Sequence, residues 1–307
     1  LLFNVFMNDL FYNLTDECSI YNYADDNTLS CHSTDFIKMK KVLETQSTKA
    51  IDWFENNSMQ ANPPKFQAII FENRGVKISD DFEFKIKGQT IKPSKSVKLL
   101  GIHIDSALTF TDHVSSLCRK AAYQVNALGR ISKHLNVRSK TDVLNSFISS
   151  NFLYAPLAWH MCRINDTKKV EKLNERALRL IYNNPDLTYH ELLTKANKNS
   201  LFTQRQQILM VEVFKSVKGY STPLVDGLFC QVNGTYNTRC LYRLKQPSFS
   251  TIQYGFNSIK YQGAMLWNKL PNEYKACIST NNFKDAILRW SGPQCNCMTC
   301  LTCIFRV

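Results

Sequence analysis

Two adjacent aspartates, Asp25 and Asp26, are the residues of this 307-residue chain whose types and spacing best suit chemistry. Short β-prone segments at 19–23 and 28–31 flank them, so we predict a hairpin with its turn at Asp25-Asp26-Asn27. Neighbouring carboxylates repel each other unless a cation lies between them, and Mg²⁺ prefers hard oxygen ligands of this kind. We therefore predict a Mg²⁺ site with Asp25 as a direct ligand and Asp26 as a ligand or its close neighbour. A solvated turn is the alternative.

The positive charge lies in a different part of the chain from these aspartates. The net charge is +13, of which residues 1–110 contribute −2, residues 111–180 contribute +7 and residues 181–307 contribute +8. A basic region beside a carboxylate centre suits a polyanionic substrate whose reacting phosphate is bridged by metal. A solubilising surface would explain the charge equally well.

The elements that must position the aspartates follow from the hydrophobic pattern. Up to residue 110, helices and strands intermix, which predicts an α+β fold with a largely antiparallel sheet. The predicted helices of this part are residues 2–12 and 34–56, and its further strands are residues 66–71, 82–86 and 96–104. Beyond it, apolar stripes predict helices over residues 111–135, 139–153 and 167–182, then 200–217 and 281–290. The four tryptophans sit among apolar neighbours and are predicted to be core residues: Trp53, Trp159, Trp267 and Trp290.

One predicted helix has a basic face. Lys168, Lys172, Arg176 and Arg179 follow each other at spacings of 4, 4 and 3, opposite an apolar face formed by Val170, Leu173, Ala177 and Ile181. Such a row can follow a phosphate backbone without reading sequence, although solvated helix faces often look the same.

The eleven cysteines are an odd number, and seven of them are scattered as expected for reduced thiols: Cys18, Cys31, Cys118, Cys162, Cys230, Cys240 and Cys277. The other four are Cys295, Cys297, Cys300 and Cys303. Four thiolates could hold Zn²⁺ in a tetrahedral site, but structural zinc sites normally place a longer loop between two ligand pairs. A loose tail, or a half-site completed elsewhere, is the alternative.

The motif Tyr23-Ala24-Asp25-Asp26 is flanked, in a fixed order, by distinctive segments at 1–10, 53–65 and 97–102. Together these segments resemble the reverse transcriptases of non-LTR (LINE-type, jockey-like) retrotransposons. The motif looks like their active-site turn, and the other segments look like the blocks around it in the palm. Further likeness lies at 120–130, 154–159, 174–179 and 254–271. The chain lacks an initiator Met and opens inside an amphipathic pattern, so we expect a C-terminal fragment that starts within the palm.

The resemblance implies an RNA-directed DNA polymerase, a nucleotidyltransferase acting on an RNA template, a DNA primer and dNTPs. It implies two-metal catalysis at Asp25 and Asp26, nucleic-acid contact by Tyr23 and by the basic helix face, and a role for Lys65 near the leaving pyrophosphate. The implied domains are the C-terminal part of the palm at 1–108, a helical thumb-like region at 109–182, a mixed, mainly helical region at 183–292 and a Cys-rich tail at 293–307.

The same resemblance implies that one metal-binding aspartate and the fingers lie upstream, so the fragment alone is expected to be inactive. One other function stays open, a non-catalytic nucleic-acid-binding remnant of a retroelement protein. A metal-dependent phosphohydrolase would need further His or Asp ligands at helical or strand-end spacing, and we find no convincing ones. We find neither a signal peptide nor an apolar run of the ~20 residues that span a bilayer. We therefore expect no membrane partner and a location in the nucleus, the cytoplasm or both.

Overall fold

The structure is a computed structural model of the chain, and it describes residues 2–14, 17–72, 79, 81–160, 162–232 and 242–292. The chain folds into two compact units that divide between Leu108 and Thr109. The first unit combines one long helix with short antiparallel hairpins, and the second is helical. The predicted α+β fold is therefore confirmed. None of the helices in the described residues is both long and apolar enough to cross a membrane.

The first unit begins with a short helix and a hairpin, and continues with one long helix and two further hairpins. Its elements are α1 (Leu2–Met7), β1 (Ser19–Tyr23), β2 (Asp26–Ser30), α2 (Phe36–Asn56), β3 (Phe84–Ile86), β4 (Gln89–Ile91), β5 (Ser96–Leu99) and β6 (Ile102–Asp105). A 3₁₀ turn over Asn8–Asn13 continues α1, and another covers Pro63–Lys65. Each hairpin pairs only consecutive strands, which makes three separate two-stranded sheets in the described residues.

Helix α2 organises the core of the first unit. It begins after Asp35, whose Oδ1 accepts hydrogen bonds from the amides of Ile37 at 2.9 Å and Lys38 at 3.1 Å and so satisfies two of the free N–H groups at the helix start. On one side α2 packs Ala50 and Trp53 against the α1 segment and the β1–β2 hairpin. The hairpin that ends in the two aspartates thus rests on a hydrophobic core.

The β3–β4 hairpin packs on another side of α2. Its buried residues Phe84 and Ile86 contact Ile51 of the helix. Lys87 in the hairpin turn bridges back to α2, with its Nζ 2.5 Å from Asp52 and 2.6 Å from Glu55. Hydrogen bonding to these carboxylates raises the pKa of Lys87, and the bond to Asp52 has the larger effect.

Two predicted strands of this unit are wrong. Residues 96–104 form the β5–β6 hairpin rather than one strand, because Leu100 (φ 46°) and Gly101 (φ 85°) adopt left-handed conformations and reverse the chain. Residues 66–71 form no ladder, although Ala68 accepts a backbone hydrogen bond from Ser94 at 2.8 Å. The apolar run at residues 66–71 predicted a strand, but such a run does not show whether a neighbouring strand is present to pair with it.

Two of the cysteines expected to be reduced thiols instead form a disulfide. Cys18 precedes β1 and Cys31 follows β2, with their Cα atoms 4.7 Å apart. The antiparallel register pairs Ser19 with Ser30, so Cys18, just before Ser19, lies opposite Cys31, just after Ser30. Sequence spacing could not show this pairing before the register was known. Cys118, Cys162, Cys230 and Cys277 are free thiols as predicted, and burial raises the pKa of Cys118 to about 11.

The second unit is built from helices of unequal length. They are α3 (Thr111–Ile131), α4 (Val137–Val143), α5 (Ser150–Leu153), α6 (Ile164–Tyr182), α7 (Tyr189–Lys195), α8 (Leu201–Val217), α9 (Pro223–Asp226), α10 (Ile259–Lys269), α11 (Asn272–Lys275) and α12 (Thr280–Ile287). A π-helical segment over Leu144–Ser149 joins α4 to α5 without a break, so the predicted helix at 139–153 is confirmed, with a π-helical segment in its middle. A second π-helical turn spans Ile252–Phe256.

Helices α3 and α6 lie side by side and run in the same direction. Near their starts Thr111 Oγ1 donates to Asp166 at 2.9 Å, and further along Arg176 Nη2 donates to Asn126 Oδ1 at 2.7 Å. A Cβ placed on Gly129 would lie 3.6 Å from a methyl group of Leu180. The predicted apolar stripe of α3 is largely buried, as shown by Val114, Ala121, Val125 and Leu128. Ile131, which we assigned to the same stripe, is 48% exposed because it lies at the helix end.

A buried carboxylate joins α6 to α8. Glu171 accepts hydrogen bonds from the amides of Leu201 at 3.3 Å and Phe202 at 2.6 Å, two of the free N–H groups at the start of α8. It also accepts a hydrogen bond from the Tyr189 hydroxyl at 2.5 Å, and Asn174 Nδ2 donates to the same hydroxyl at 2.8 Å. Burial raises the pKa of Glu171 even though these hydrogen bonds favour its ionised form.

A buried cation lies beside this carboxylate. Arg205 of α8 is fully buried, with its guanidinium carbon 4.4 Å from the ring centre of Trp159 and 5.7 Å from that of Phe202. The ring of His160 stacks on Phe202 at 5.8 Å. Burial, together with the charge of Arg205, lowers the pKa of His160 to about 3.

The remaining core of the second unit surrounds Trp267 between α8, α10 and α12. Gly263 lets α10 approach closely, since a Cβ there would lie 2.5 Å from the ring of Phe229. Trp53, Trp159, Trp267 and Trp290 are all buried, which confirms that they are core residues.

Candidate metal site and nucleic-acid interface

The two aspartates lie at the tip of the β1–β2 hairpin. The strands pair in continuous register from Ser19 opposite Ser30 to Tyr23 opposite Asp26. Ala24 and Asp25 alone therefore form the turn, with Ala24 at a left-handed φ of 52°. The predicted hairpin is confirmed, but the predicted turn was wrong, because Asp26 and Asn27 belong to β2.

The pleat of the hairpin orients the side chains near the tip. Residues paired across an antiparallel hairpin point to the same face, and successive residues alternate between faces. Ile20 and Leu29 face the core beneath the hairpin. Tyr23 and Asp26 are paired and exposed, and Tyr23 is 67% exposed. The Tyr23–Asp26 pair is therefore on the face of the hairpin that points away from the core, next to Asp25 in the turn.

The carboxylates at the tip suit a divalent cation as part of a larger ligand set. Asp25 and Asp26 are exposed, and neither forms an ion pair in the described structure. Asn27 Nδ2 donates to the backbone carbonyl of Asp25 at 3.2 Å, which stabilises the turn and does not involve the Asp25 carboxylate. Hard oxygen donors that remain accessible fit Mg²⁺, which keeps water and substrate oxygens among its ligands. Within the described ranges, no group of three or more His, Cys, Asp or Glu residues converges as a metal site.

Lys65 lies on a separate segment of the same unit. It is the last residue of the 3₁₀ turn Pro63–Lys65 and its side chain is exposed. The turn begins with Pro63 and Pro64, whose fixed φ angles restrict the backbone here. The ammonium group of Lys65 forms no ion pair in the part of the chain that the structure describes.

The predicted basic row lies on the outer face of α6. Lys168, Lys172 and Arg176 are exposed, and Arg179 is half-buried. Arg179 is already engaged, because its guanidinium binds Glu175 at 2.7 Å and the carbonyl of Pro185 at 2.6 Å. Lys168 and Lys172 form no ion pair within the described residues. Three of the four cations are therefore available to a ligand, and Arg179 serves to hold the end of the helix.

A second basic row on α3 was missed from the sequence. Arg119, Tyr123, Asn126 and Arg130 follow at spacings of 4, 3 and 4 and are all exposed. The sequence signal that could have identified it is the helical repeat, because polar residues at these spacings lie on the face of α3 opposite its apolar stripe. The two rows are adjacent, since Arg176 of α6 is hydrogen bonded to Asn126 of α3.

The tail cysteines Cys295, Cys297, Cys300 and Cys303, predicted as a candidate zinc site, lie outside the described residues, and so does Cys240.

Comparison with known proteins gives three related sequences. The chain is 24% identical over 172 residues to the RNA-directed DNA polymerase from mobile element jockey of Drosophila funebris, covering 55% of the chain and 18% of the relative. It is 21% identical over 173 residues to the jockey protein of Drosophila melanogaster, covering 55% and 19%. It is 24% identical over 219 residues to the probable RNA-directed DNA polymerase from transposon BS of Drosophila melanogaster, covering 68% and 24%.

The matched segments span about a fifth of the length of these relatives. No family model and no solved structure matches the chain. The ordered motifs around the Asp25-Asp26 turn and the similarity to three polymerases agree with each other. Over more than half of its length, the chain is related in sequence to the reverse transcriptases of non-LTR retrotransposons, which confirms the resemblance seen in its motifs.

Proposed function

We propose that this chain forms the Asp-Asp turn of an RNA-directed DNA polymerase of the non-LTR kind, together with the helical region that follows it in the sequence. The observation that supports the proposal most directly is the position of Asp25 and Asp26, two exposed carboxylates at the tip of a hairpin braced by a hydrophobic core. This hairpin occurs in a chain whose relatives are named as RNA-directed DNA polymerases. The substrates would be an RNA template, a DNA primer and dNTPs.

In the proposed site Asp25 and Asp26 hold Mg²⁺. A pair of such ions, when bound, activates a primer 3′-hydroxyl and stabilises the pyrophosphate that leaves. Tyr23 presents its exposed ring beside Asp26, where it would contact the primer or template strand. Lys65 would neutralise the charge of the leaving pyrophosphate and donate a proton to it.

The proposed site needs at least one further carboxylate to hold two metal ions. Since no group of three ligands converges in the described residues, we expect the chain by itself to extend no primer. RNA-templated DNA synthesis by the purified chain, measured with a labelled primer and dNTPs, checks this expectation. Synthesis that Asp25→Ala abolishes would show that the site is complete.

Metal binding tests the assignment of the aspartates without requiring activity. Mn²⁺, which accepts the same oxygen ligands as Mg²⁺, can be titrated into the chain and its binding followed by electron paramagnetic resonance. We expect the double variant Asp25→Asn/Asp26→Asn to bind Mn²⁺ at least about tenfold more weakly, which corresponds to about 1.4 kcal/mol. The change keeps the size of the side chains and removes only their charge.

Asp9→Asn is the matched control, since Asp9 is also an exposed aspartate of the first unit. Its Mn²⁺ affinity should equal that of the unaltered chain. Equal Mn²⁺ affinities for the double variant and the control would show that the hairpin tip is not the metal site, and the proposal would fail.

A second candidate function is nucleic-acid binding without catalysis. The observation that favours it is the row of cations on α6, in which Lys168, Lys172 and Arg176 are exposed and form no ion pair within the described residues. A chain that binds RNA but shows no Mn²⁺ site at Asp25 and Asp26 would support this second function over the first.

A further inference from the structure

The outer faces of α3 and α6 form one continuous surface. The two helices are parallel and in contact from Thr111 and Asp166 near their starts to Gly129 and Leu180 near their ends. The row Arg119, Tyr123, Asn126 and Arg130 spans twelve residues, or about 16 Å of helix from the first to the last. The hydrogen bond from Arg176 to Asn126 fixes the α6 row beside it.

The charge on this surface is almost entirely positive. Arg119, Arg130, Lys168 and Lys172 are exposed and form no ion pair in the described parts of the chain. The carboxylates of α3 and α6 are Asp112, Asp166, Glu171 and Glu175. Asp166 and Glu171 are buried, and Glu175 is paired with Arg179. Asp112 is the carboxylate of these two helices that is both exposed and unpaired in the described structure, and it lies at the start of α3, two turns before Arg119. Such a surface attracts a polyanion.

Tyr123 stands in the middle of the cations with its ring open to solvent. Its side chain is 70% exposed, and no ring contact or hydrogen bond of the described residues engages it. An exposed aromatic ring between arginines is suited to stack on a base, an interaction worth about 1–3 kcal/mol per base. Stacking of this kind needs an open base face, which paired and stacked duplex bases do not offer.

We infer that Arg119, Tyr123 and Arg130 of α3, with Lys168, Lys172 and Arg176 of α6, bind single-stranded nucleic acid, with one base stacked on Tyr123. The inference rests on the proposed function for the class of ligand and adds α3, the stacking residue and the preference for an unpaired strand. An anionic membrane is the less suitable partner, because the apolar face of α3 is largely buried and only Ile131 at the helix end is strongly exposed on it.

Fluorescence anisotropy with labelled oligo(U) of about 16 nucleotides, and with a duplex of the same length, tests the inference. Tyr123→Ala should weaken oligo(U) binding about 5- to 100-fold, as the loss of one stacked base requires. Tyr123→Phe keeps the ring and should stay within about twofold of the unaltered chain. Duplex binding should respond to neither change.

The cations are tested through the salt dependence of binding. Arg119→Ala and Arg130→Ala should each reduce the slope of log affinity against log salt by about 0.7, as expected for one phosphate contact on a single strand. The matched controls are Tyr220→Ala, a tyrosine that is 60% exposed beyond α8, and Lys260→Ala on α10. Neither control should change affinity or slope. Circular dichroism of each variant verifies that it is folded.

Three results would overturn the inference. One is an equal loss of affinity in Tyr123→Ala and Tyr220→Ala, and another is tighter binding of the duplex than of oligo(U). The third is binding to phosphatidylserine vesicles without binding to oligo(U), which would assign the surface to a membrane. Mn²⁺ binding at Asp25 and Asp26 is measured separately in the first unit, so failure of the metal site and failure of this surface are distinguishable.

Discussion

Arg205 is a buried cation that forms no ion pair within the described residues, so other contacts must stabilise its charge. Its Nη2 donates to Thr167 Oγ1 at 3.4 Å, while Nε and Nη1 find no partner among the described residues. The faces of Trp159 and Phe202 and the nearby charge of Glu171 offset part of the cost of desolvation. Burial nonetheless lowers the pKa of this arginine.

His160 beside it makes the stability of the second unit depend on pH. Its folded-state pKa of about 3 lies below the ordinary value of 6.5, so the folded state disfavours protonation. The stabilisation from keeping His160 neutral is present above pH 6.5 and is lost as pH falls toward 3. We expect His160 to account for a loss of about 2 kcal/mol between pH 7 and pH 5. Urea unfolding followed by tryptophan fluorescence at both values measures it.

The comparison with His160→Phe isolates this histidine from other titrating groups. Phenylalanine keeps a ring against Phe202 and cannot take up a proton, so the variant should lose less stability than the unaltered chain on acidification. Glu171 acts in the opposite direction, because its raised pKa makes the folded state more stable as pH falls. An identical pH dependence in both proteins would show that His160 does not contribute.

Sequence reasoning found the residues of the hairpin tip but not the buried polar cluster. Asp25 and Asp26 are identified by adjacency and by ordered neighbouring motifs, which are local properties of the chain. Glu171, Tyr189 and Arg205 lie on three different helices and become neighbours only through tertiary packing. On α6 the residue Glu171 was therefore indistinguishable from an ordinary surface glutamate.

At the scale of elements, the β1–β2 hairpin is closed at both ends. The Ala24-Asp25 turn joins the strands at the tip, and the Cys18–Cys31 disulfide joins them at the base. Closing a loop between residues 13 apart restricts the unfolded chain and contributes about 3 kcal/mol in the chain-entropy description. We expect a thiol reductant to lower the unfolding temperature of the first unit, measured by scanning calorimetry.

The double variant Cys18→Ala/Cys31→Ala provides the reference for that measurement. It should unfold at the lower temperature with or without reductant, because it has no disulfide to lose. A reductant effect of the same size in the double variant would place the sensitive group elsewhere in the chain.

Elements with strong periodicity were predicted well, and those that depend on pairing were not. Helices α2, α3, α6 and α8 lie close to the ranges that their apolar stripes indicated. The β5–β6 hairpin was read as one strand because Leu100-Gly101 lacks the Asn or Asp that usually marks such turns. Whether a short apolar run such as residues 66–71 enters a ladder depends on a partner that the run itself does not specify.

At the scale of the whole molecule, each unit has its own hydrophobic core. The second unit buries Trp159 and Trp267 in cores formed by its own helices. We therefore predict that residues 109–292 fold without residues 1–108 and unfold cooperatively. Circular dichroism and tryptophan fluorescence should lose their signals at a single midpoint.

A fragment variant that fills the close approach at Gly263 is the control for that prediction. Gly263→Leu brings a large side chain against Phe229 and Val213 and should abolish the cooperative transition or lower its midpoint. A broad, non-cooperative transition in the unaltered fragment would show that the second unit needs the first in order to fold.

The parallel arrangement of α3 and α6 has a consequence for how the second unit forms. Two parallel helices cannot be joined by a tight turn, so the chain must return through α4 and α5 before α6 begins. The Arg176–Asn126 hydrogen bond accordingly spans 50 residues. Contacts this distant in sequence form only after the entropy of closing a long loop has been overcome, which slows folding. On a growing polypeptide, α3 would remain without its packing partner until about fifty more residues had been synthesised.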